Sequence, residues 1–160
     1  MELKRVVVTG LGAVTPLGLN VDETWEALLN GVSGAGPITH FDASQFKTQF
    51  ACEVKNFDPT LYLDKKEVRK FDRYAQFAVA AAKEAVGDSA LDLEKVDKNR
   101  VGVIFAAGIG GIRTFEEEVG GYFTNIERGP KFNPFFIPKM IADIAAGHIS
   151  MIYGFHGPNY

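Results

Sequence analysis

Lys4-Arg5-Val6-Val7-Val8-Thr9-Gly10-Leu11-Gly12-Ala13-Val14-Thr15 is a β-branched run that stops at a glycine-rich turn. A run ending this way, with no alternation of polar and apolar positions, reads as a strand buried on both faces, the pattern of a parallel sheet in an α/β protein. The arrangement recurs further on, where Val101-Gly102-Val103-Ile104-Phe105-Ala106 runs straight into Ala107-Gly108-Ile109-Gly110-Gly111. Helices are predicted between and after these strands. Asn20 and Glu23 have capping-box spacing and open a helix over 21–30, with Trp25, Leu28 and Leu29 on its apolar side and Gly31 as its stop. Segment 64–86 begins basic and becomes alanine-rich, which predicts a helix with a small-residue face. Further helices are predicted over 112–123 and 139–153, and a short strand over 48–54. The loop 125–138 gathers Phe132, Phe135 and Phe136 among Pro130, Pro134 and Pro138. Three strands are few for a parallel sheet covered on both faces, so the pattern predicts the leading segment of a longer α/β protein, or one that pairs with another chain.

The composition bounds the function. The chain has 160 residues, 46% apolar and 23% charged, with a formal charge of -3. That is enough chain for a real core, and it excludes a disordered acidic tail, a coiled coil and a strongly basic nucleic-acid binder. The 17 glycines exceed the usual share of about 7% and point to close backbone approaches. Cys52 is the only cysteine, so an internal disulfide and a cysteine-based metal cage are excluded; its setting between Ala51 and Glu53 reads as a small packed thiol in a strand. Thr9, Gly10 and Pro16 break up the apolar stretch behind Lys4 and Arg5, and no uninterrupted apolar window reaches 18 residues. The expectation is a cytoplasmic protein without a membrane span.

The individual motifs are weak. Gly10-Leu11-Gly12-Ala13-Val14-Thr15 approaches the dinucleotide fingerprint, but Thr15 replaces its third glycine and no strand ending in an acid follows about twenty residues on. A tight strand-exit turn is the plainer reading. Gly108 to Gly111 is not followed by a P-loop Lys-Ser/Thr pair. Ser33, in a partial G-x-S-x-G, reads as a turn residue, because Ala35 stands at the last position and no strand precedes it. His40, His148 and His156 share no metal-ligand spacing and form no evident dyad with Cys52. No catalytic residue, metal site or cofactor is expected from these residues. Lys65, Lys66, Arg69 and Lys70 recur at helical spacing; they make either a solvated face or a docking face for an acidic partner.

Taken together, the motifs are far more specific. Val6 to Gly18, Thr24-Trp25, Gly31-Val32-Ser33-Gly34, Phe41-Asp42, Asp72-Arg73-Tyr74, Gly108-Ile109-Gly110-Gly111, Asn133-Pro134-Phe135-Phe136-Ile137-Pro138, Ala146-Gly147-His148 and Gly157-Pro158-Asn159 follow one another in an order that resembles the β-ketoacyl-[acyl-carrier-protein] synthases, closest to synthase II. The resemblance covers essentially the whole chain. It implies a thiolase-like fold, five alternating α-β-α-β-α layers built from two related halves. This chain would form most of the first half, without an internal domain boundary, in a homodimer. It further implies an acyltransferase of fatty-acid synthesis that condenses malonyl-acyl-carrier protein onto an acyl group held on a cysteine, with two assisting histidines. By motif order these three residues fall beyond Tyr160, so the segment alone is expected to be inactive. Carried over by position, Lys65, Lys66, Arg69 and Lys70 match the acyl-carrier-protein docking face, and Ile109 matches the gate of the acyl pocket. Phe136, with Phe135 as the alternative, matches an aromatic that reaches the partner's acyl tunnel. A non-catalytic interaction module, or a chain-length-factor-like partner without the cysteine, is the competing class; a nicotinamide-binding enzyme is a distant third.

Overall fold

The computed structural model describes residues 3–129 and 131–160; Met1, Glu2 and Pro130 of the aromatic loop lie outside the described residues. The chain divides into two compact units, Met1–Asp58 with Lys83–Ala90, and Pro59–Ala82 with Leu91–Tyr160.

In the first unit the helix-capping signal holds. Helix α1 spans Val21–Leu29, and the Asn20 side chain accepts the Glu23 N–H at 2.8 Å. The Glu23 carboxylate reaches back to the Leu19 N–H at 2.7 Å, one residue before the cap. The predicted strand over 48–54 contracts to β2, Phe50–Ala51, paired antiparallel with β1, Gly36–Pro37. Two expectations are corrected. Residues 4–9 form no ladder among the described residues, and Val6 is 90% exposed rather than buried on both faces. An extended run becomes a strand only where another segment takes its amides and carbonyls, and none does so there. Cys52 lies just beyond β2 and is exposed, not packed.

The second unit holds most of the core. Its elements are α2 (Lys65–Val68), α3 (Arg73–Asp88, whose residues to Ala82 belong here), α4 (Ile112–Thr124), α5 (Phe136–Met140) and α6 (Ile144–Tyr153). Phe71, Ala75, Ala78 and Val79 pack against Ala145 and Ile149, with Val103 and Phe105 bordering them. Alanines on both helices let the backbones approach closely and leave little room for a larger side chain.

The predicted strand over 101–106 survives as a parallel pairing with the end of the described chain. Val103 N–H donates to Pro158 O at 2.8 Å, Tyr160 N–H to Val103 O at 3.0 Å, and Phe105 N–H to Tyr160 O at 2.8 Å. Its outward Ile104 is 81% exposed, which corrects the doubly buried reading. The single helix predicted over 139–153 is two. Ile141 is extended (φ -65°, ψ 135°), and its carbonyl leaves the helical ladder to accept the Tyr74 hydroxyl.

Candidate functional site

Gly108-Ile109-Gly110-Gly111 leads from the 101–106 segment into α4. Gly111 N–H donates to Met140 O at 3.0 Å, and Gly110 adopts φ +81°. A Cβ on Gly110 would stand 2.5 Å from Met140 O, and one on Gly111 only 2.2 Å from Lys139 O, so the chain passes too close here for any side chain. Gly108 meets open space, and Ile109 is 70% exposed. The turn is therefore pinned on its C-terminal side while presenting one apolar side chain outward, an arrangement suited to a movable apolar stop.

Phe136 lies half-buried at the start of α5. Its ring stacks on Phe132 with centroids 5.6 Å apart and lies 6.3 Å from Phe115 of α4. Asn133 organises the approach: its side chain accepts the Phe135 N–H, its carbonyl accepts the Phe136 N–H, and Glu118 of α4 accepts the Asn133 N–H. Phe135 takes a different neighbour, because Lys70 Nζ sits 5.8 Å from its ring centroid. The basic segment and the aromatic segment thus meet, which spacing alone did not indicate.

The basic residues are not one helical face. Only Lys65 and Lys66 lie within α2; Arg69 is its C-terminal cap residue and Lys70 follows. Lys65, Lys66 and Arg69 are exposed, whereas Lys70 Nζ is paired with Glu67 at 2.6 Å. Buried Gln76, absent from the sequence reading, donates to the carbonyls of Val68 and Phe71 and so fixes the backbone on either side of Arg69 and Lys70. A buried glutamine in an alanine-rich helix was the available signal.

The remaining candidates stay apart. His148 stacks on Phe71 with centroids 3.6 Å apart, and its Nε2 has no hydrogen-bond partner among the described residues; burial pushes its pKa down against the opposing pull of Glu67. His40 lies 3.9 Å from Glu53, whose carboxyl is held below its usual range by hydrogen bonds from the Thr39 hydroxyl and amide. Ser33 accepts the Ala35 N–H, as a turn residue does. In the Gly10 turn, the amides that would cradle a phosphate are already occupied. Leu11 N–H donates to Asp88, and Ala13 N–H to Glu84, each at 2.9 Å. Gly10 lets this happen, since a Cβ there would stand 2.3 Å from Ala85 O. Filled by the chain's own carboxylates, this turn offers a dinucleotide no cradle. Among the described residues no three His, Cys, Asp or Glu side chains gather as a metal site would require, and no helix is long and apolar enough to cross a membrane.

Residues 3–160 match the family model described as "Beta-ketoacyl synthase, N-terminal domain". The chain belongs to the beta-ketoacyl synthase family. Among the relatives of this beta-ketoacyl synthase chain is the 3-oxoacyl-[acyl-carrier-protein] synthase 2 of Coxiella burnetii (strain RSA 493 / Nine Mile phase I), 48% identical over 159 residues, which are 99% of this chain and 38% of that protein. The corresponding synthase 2 of Vibrio harveyi is 44% identical, again over 99% and 38%. The beta-ketoacyl synthase chain therefore spans somewhat over a third of the length of these relatives. The ishigamide ketosynthase/chain length factor superposes with a TM-score of 0.80 at 26% identity, covering 96% of this chain and 38% of that one. A type II PKS acyl-carrier protein in complex with its ketosynthase bound to the hexaketide superposes at 0.77 and 27%, covering 96% and 40%. The fold is accordingly the thiolase-like α/β fold of ketosynthases.

Proposed function

We propose that the protein containing this chain is a 3-oxoacyl-[acyl-carrier-protein] synthase 2, an acyltransferase that lengthens fatty acyl chains by condensing malonyl-acyl-carrier protein with an acyl-enzyme thioester. The observation that carries this reading is 48% identity over 99% of the chain to a protein of that name. Residues 1–160 then form the incomplete first half of the thiolase-like fold, without an internal domain boundary. The nucleophilic cysteine and its two histidines belong to the rest of the protein, and these residues supply docking and acyl selection rather than chemistry. Relatives named as synthases support this reading over a non-catalytic module or a chain-length-factor-like partner.

Lys65, Lys66 and Arg69, exposed on an otherwise acidic chain, provide the positive potential that speeds and orients an acidic carrier protein. Lys70 contributes less, because Glu67 already offsets its charge. Ile109 serves as the acyl gate, and Phe136 borders the acyl path. Uncovered Val6, Val8, Trp25 and Ile104 support burial by the remainder of the protein and by a second copy in a homodimer. The protein works in the cytoplasm, without a cofactor or metal, on malonyl- and acyl-thioesters.

The test is to supply the complete protein with acyl- and malonyl-acyl-carrier protein. A 3-oxoacyl product two carbons longer, with carbon dioxide released, is the expected result. Absence of product from protein that carries the cysteine and is folded would overturn the assignment.

A further inference from the structure

The Asp72-Arg73-Tyr74 landmark carries neither a docking charge nor an acyl contact in this reading, yet two of its side chains grip the two segments that meet the C-terminal end of the Ile109 turn. Asp72 precedes α3 and is 7% exposed. One of its carboxylate oxygens accepts both the N–H and the hydroxyl of buried Thr114, in the first turn of α4; the other accepts the Tyr74 N–H at 3.3 Å. Helix α4 begins directly after the turn, and its own cap residue, Gly111, has no side chain to cap it. Asp72 thus supplies, from 42 residues away, the carboxylate that a helix N-terminus ordinarily takes from its own cap.

Tyr74 holds the second of these segments. Its hydroxyl donates to Ile141 O, in the extended joint between α5 and α6. The turn rests against that same stretch, through the Gly111–Met140 hydrogen bond and the side-chain-free approach of Gly110 and Gly111 to residues 139–142. Burial, reinforced by the negative charges of Asp72 and Asp143, pushes the Tyr74 hydroxyl up to about 12, so it remains a donor throughout the neutral range.

We propose that Asp72 and Tyr74 are positioning residues that fix the C-terminal end of the Ile109 turn through two segments, leave Gly108 and Ile109 free to move, and thereby set the range of acyl chains the gate admits. The last part rests on the reading of Ile109 as the acyl gate. Helix α5, which carries Phe136, ends in the joint that Tyr74 holds, so the gate and this aromatic share one anchor.

The experiment uses the complete protein with Tyr74→Phe, Thr114→Val, Thr114→Ser and Ile109→Phe. Three quantities are read: the melting temperature, amide hydrogen exchange over residues 108–115, and the ratio of kcat/KM for long against short acyl-carrier substrates. Tyr74→Phe and Thr114→Val each remove one hydrogen bond and are expected to speed exchange about fivefold, the factor for a typical net hydrogen bond. Both should shift the ratio in the same direction, while Thr114→Ser, which keeps the hydroxyl, stays at native values in exchange and ratio. Lower melting temperature with unchanged exchange over 108–115 would mean that these residues only hold the fold, overturning the proposal. Faster exchange with an unchanged ratio, while Ile109→Phe does change it, overturns the control of chain length. If Ile109→Phe itself leaves the ratio untouched, the gate reading has failed; the exchange data then decide the clamp alone, faster exchange supporting it and native exchange refuting it.

Discussion

Glu84 is the side chain whose removal tests most directly how the glycine turn of the first unit is held. One carboxylate oxygen accepts the Ala13 N–H at 2.9 Å, and the other accepts the Val21 N–H, the first residue of α1, at 2.8 Å. Hydrogen bonds to an ionised group contribute about 1.5–3 kcal/mol each when well formed. Glu84 is only half-buried and water can partly replace the lost partner, so the lower end, about 1.5 kcal/mol per bond, is the appropriate figure. Glu84→Gln keeps one acceptor and turns an NH2 group toward the other amide, which loses about tenfold in protection; Glu84→Ala loses both bonds, and each of the two amides should exchange about tenfold faster. The assay is amide hydrogen exchange of the complete protein read at Ala13 and Val21. Asp88→Asn serves as the comparison, because among the described residues Asp88 holds the exposed Leu11 amide alone. Exchange at Ala13 and Val21 in the Glu84→Ala protein that matches the native rate would refute the argument that these carboxylates occupy the turn.

Three further outcomes are expected. Reversing Lys66, Arg69 and Lys70 to glutamate should slow turnover of carrier-bound substrates at low salt and flatten its salt dependence; unchanged kcat/KM would remove the docking face. Half-buried His148 has a folded-state pKa below the ordinary 6.5, so the unfolded chain binds the proton better. The contribution is therefore fully present above pH 6.5 and lost as the pH falls from there through the folded-state value. His148→Phe keeps the stack on Phe71 and should flatten that slope in denaturant titrations, and an unaltered slope would assign the acid sensitivity elsewhere. Gly111→Ala forces a Cβ to within 2.2 Å of Lys139 O and should lower the melting temperature sharply, whereas Gly108→Ala, with open space around it, should be tolerated; equal effects would contradict the pinned turn.

The sequence alone determined what depends on neighbours a few residues away. The Asn20–Glu23 cap and the span of α4 follow from short-range hydrogen bonding and side-chain periodicity, and both occur within a residue or so of where the sequence predicts them. The ordered landmarks likewise sufficed for the family. The charge of the 65–70 segment was legible too, but its presentation was not, because Gln76 and Glu67 decide which cations are free and what backbone carries them. Tertiary structure alone decided the rest. Val6 to Val8 have the composition of a strand and no ladder among the described residues, since pairing requires a partner whose presence no local pattern encodes. The glycine turn resembled a phosphate cradle until carboxylates 71 and 77 residues away were found in it. The helix predicted over 139–153 breaks where a tyrosine 67 residues distant captures a carbonyl. Such contacts couple residues whose separation along the chain carries no periodic signal, so only folding brings the two halves of each interaction together.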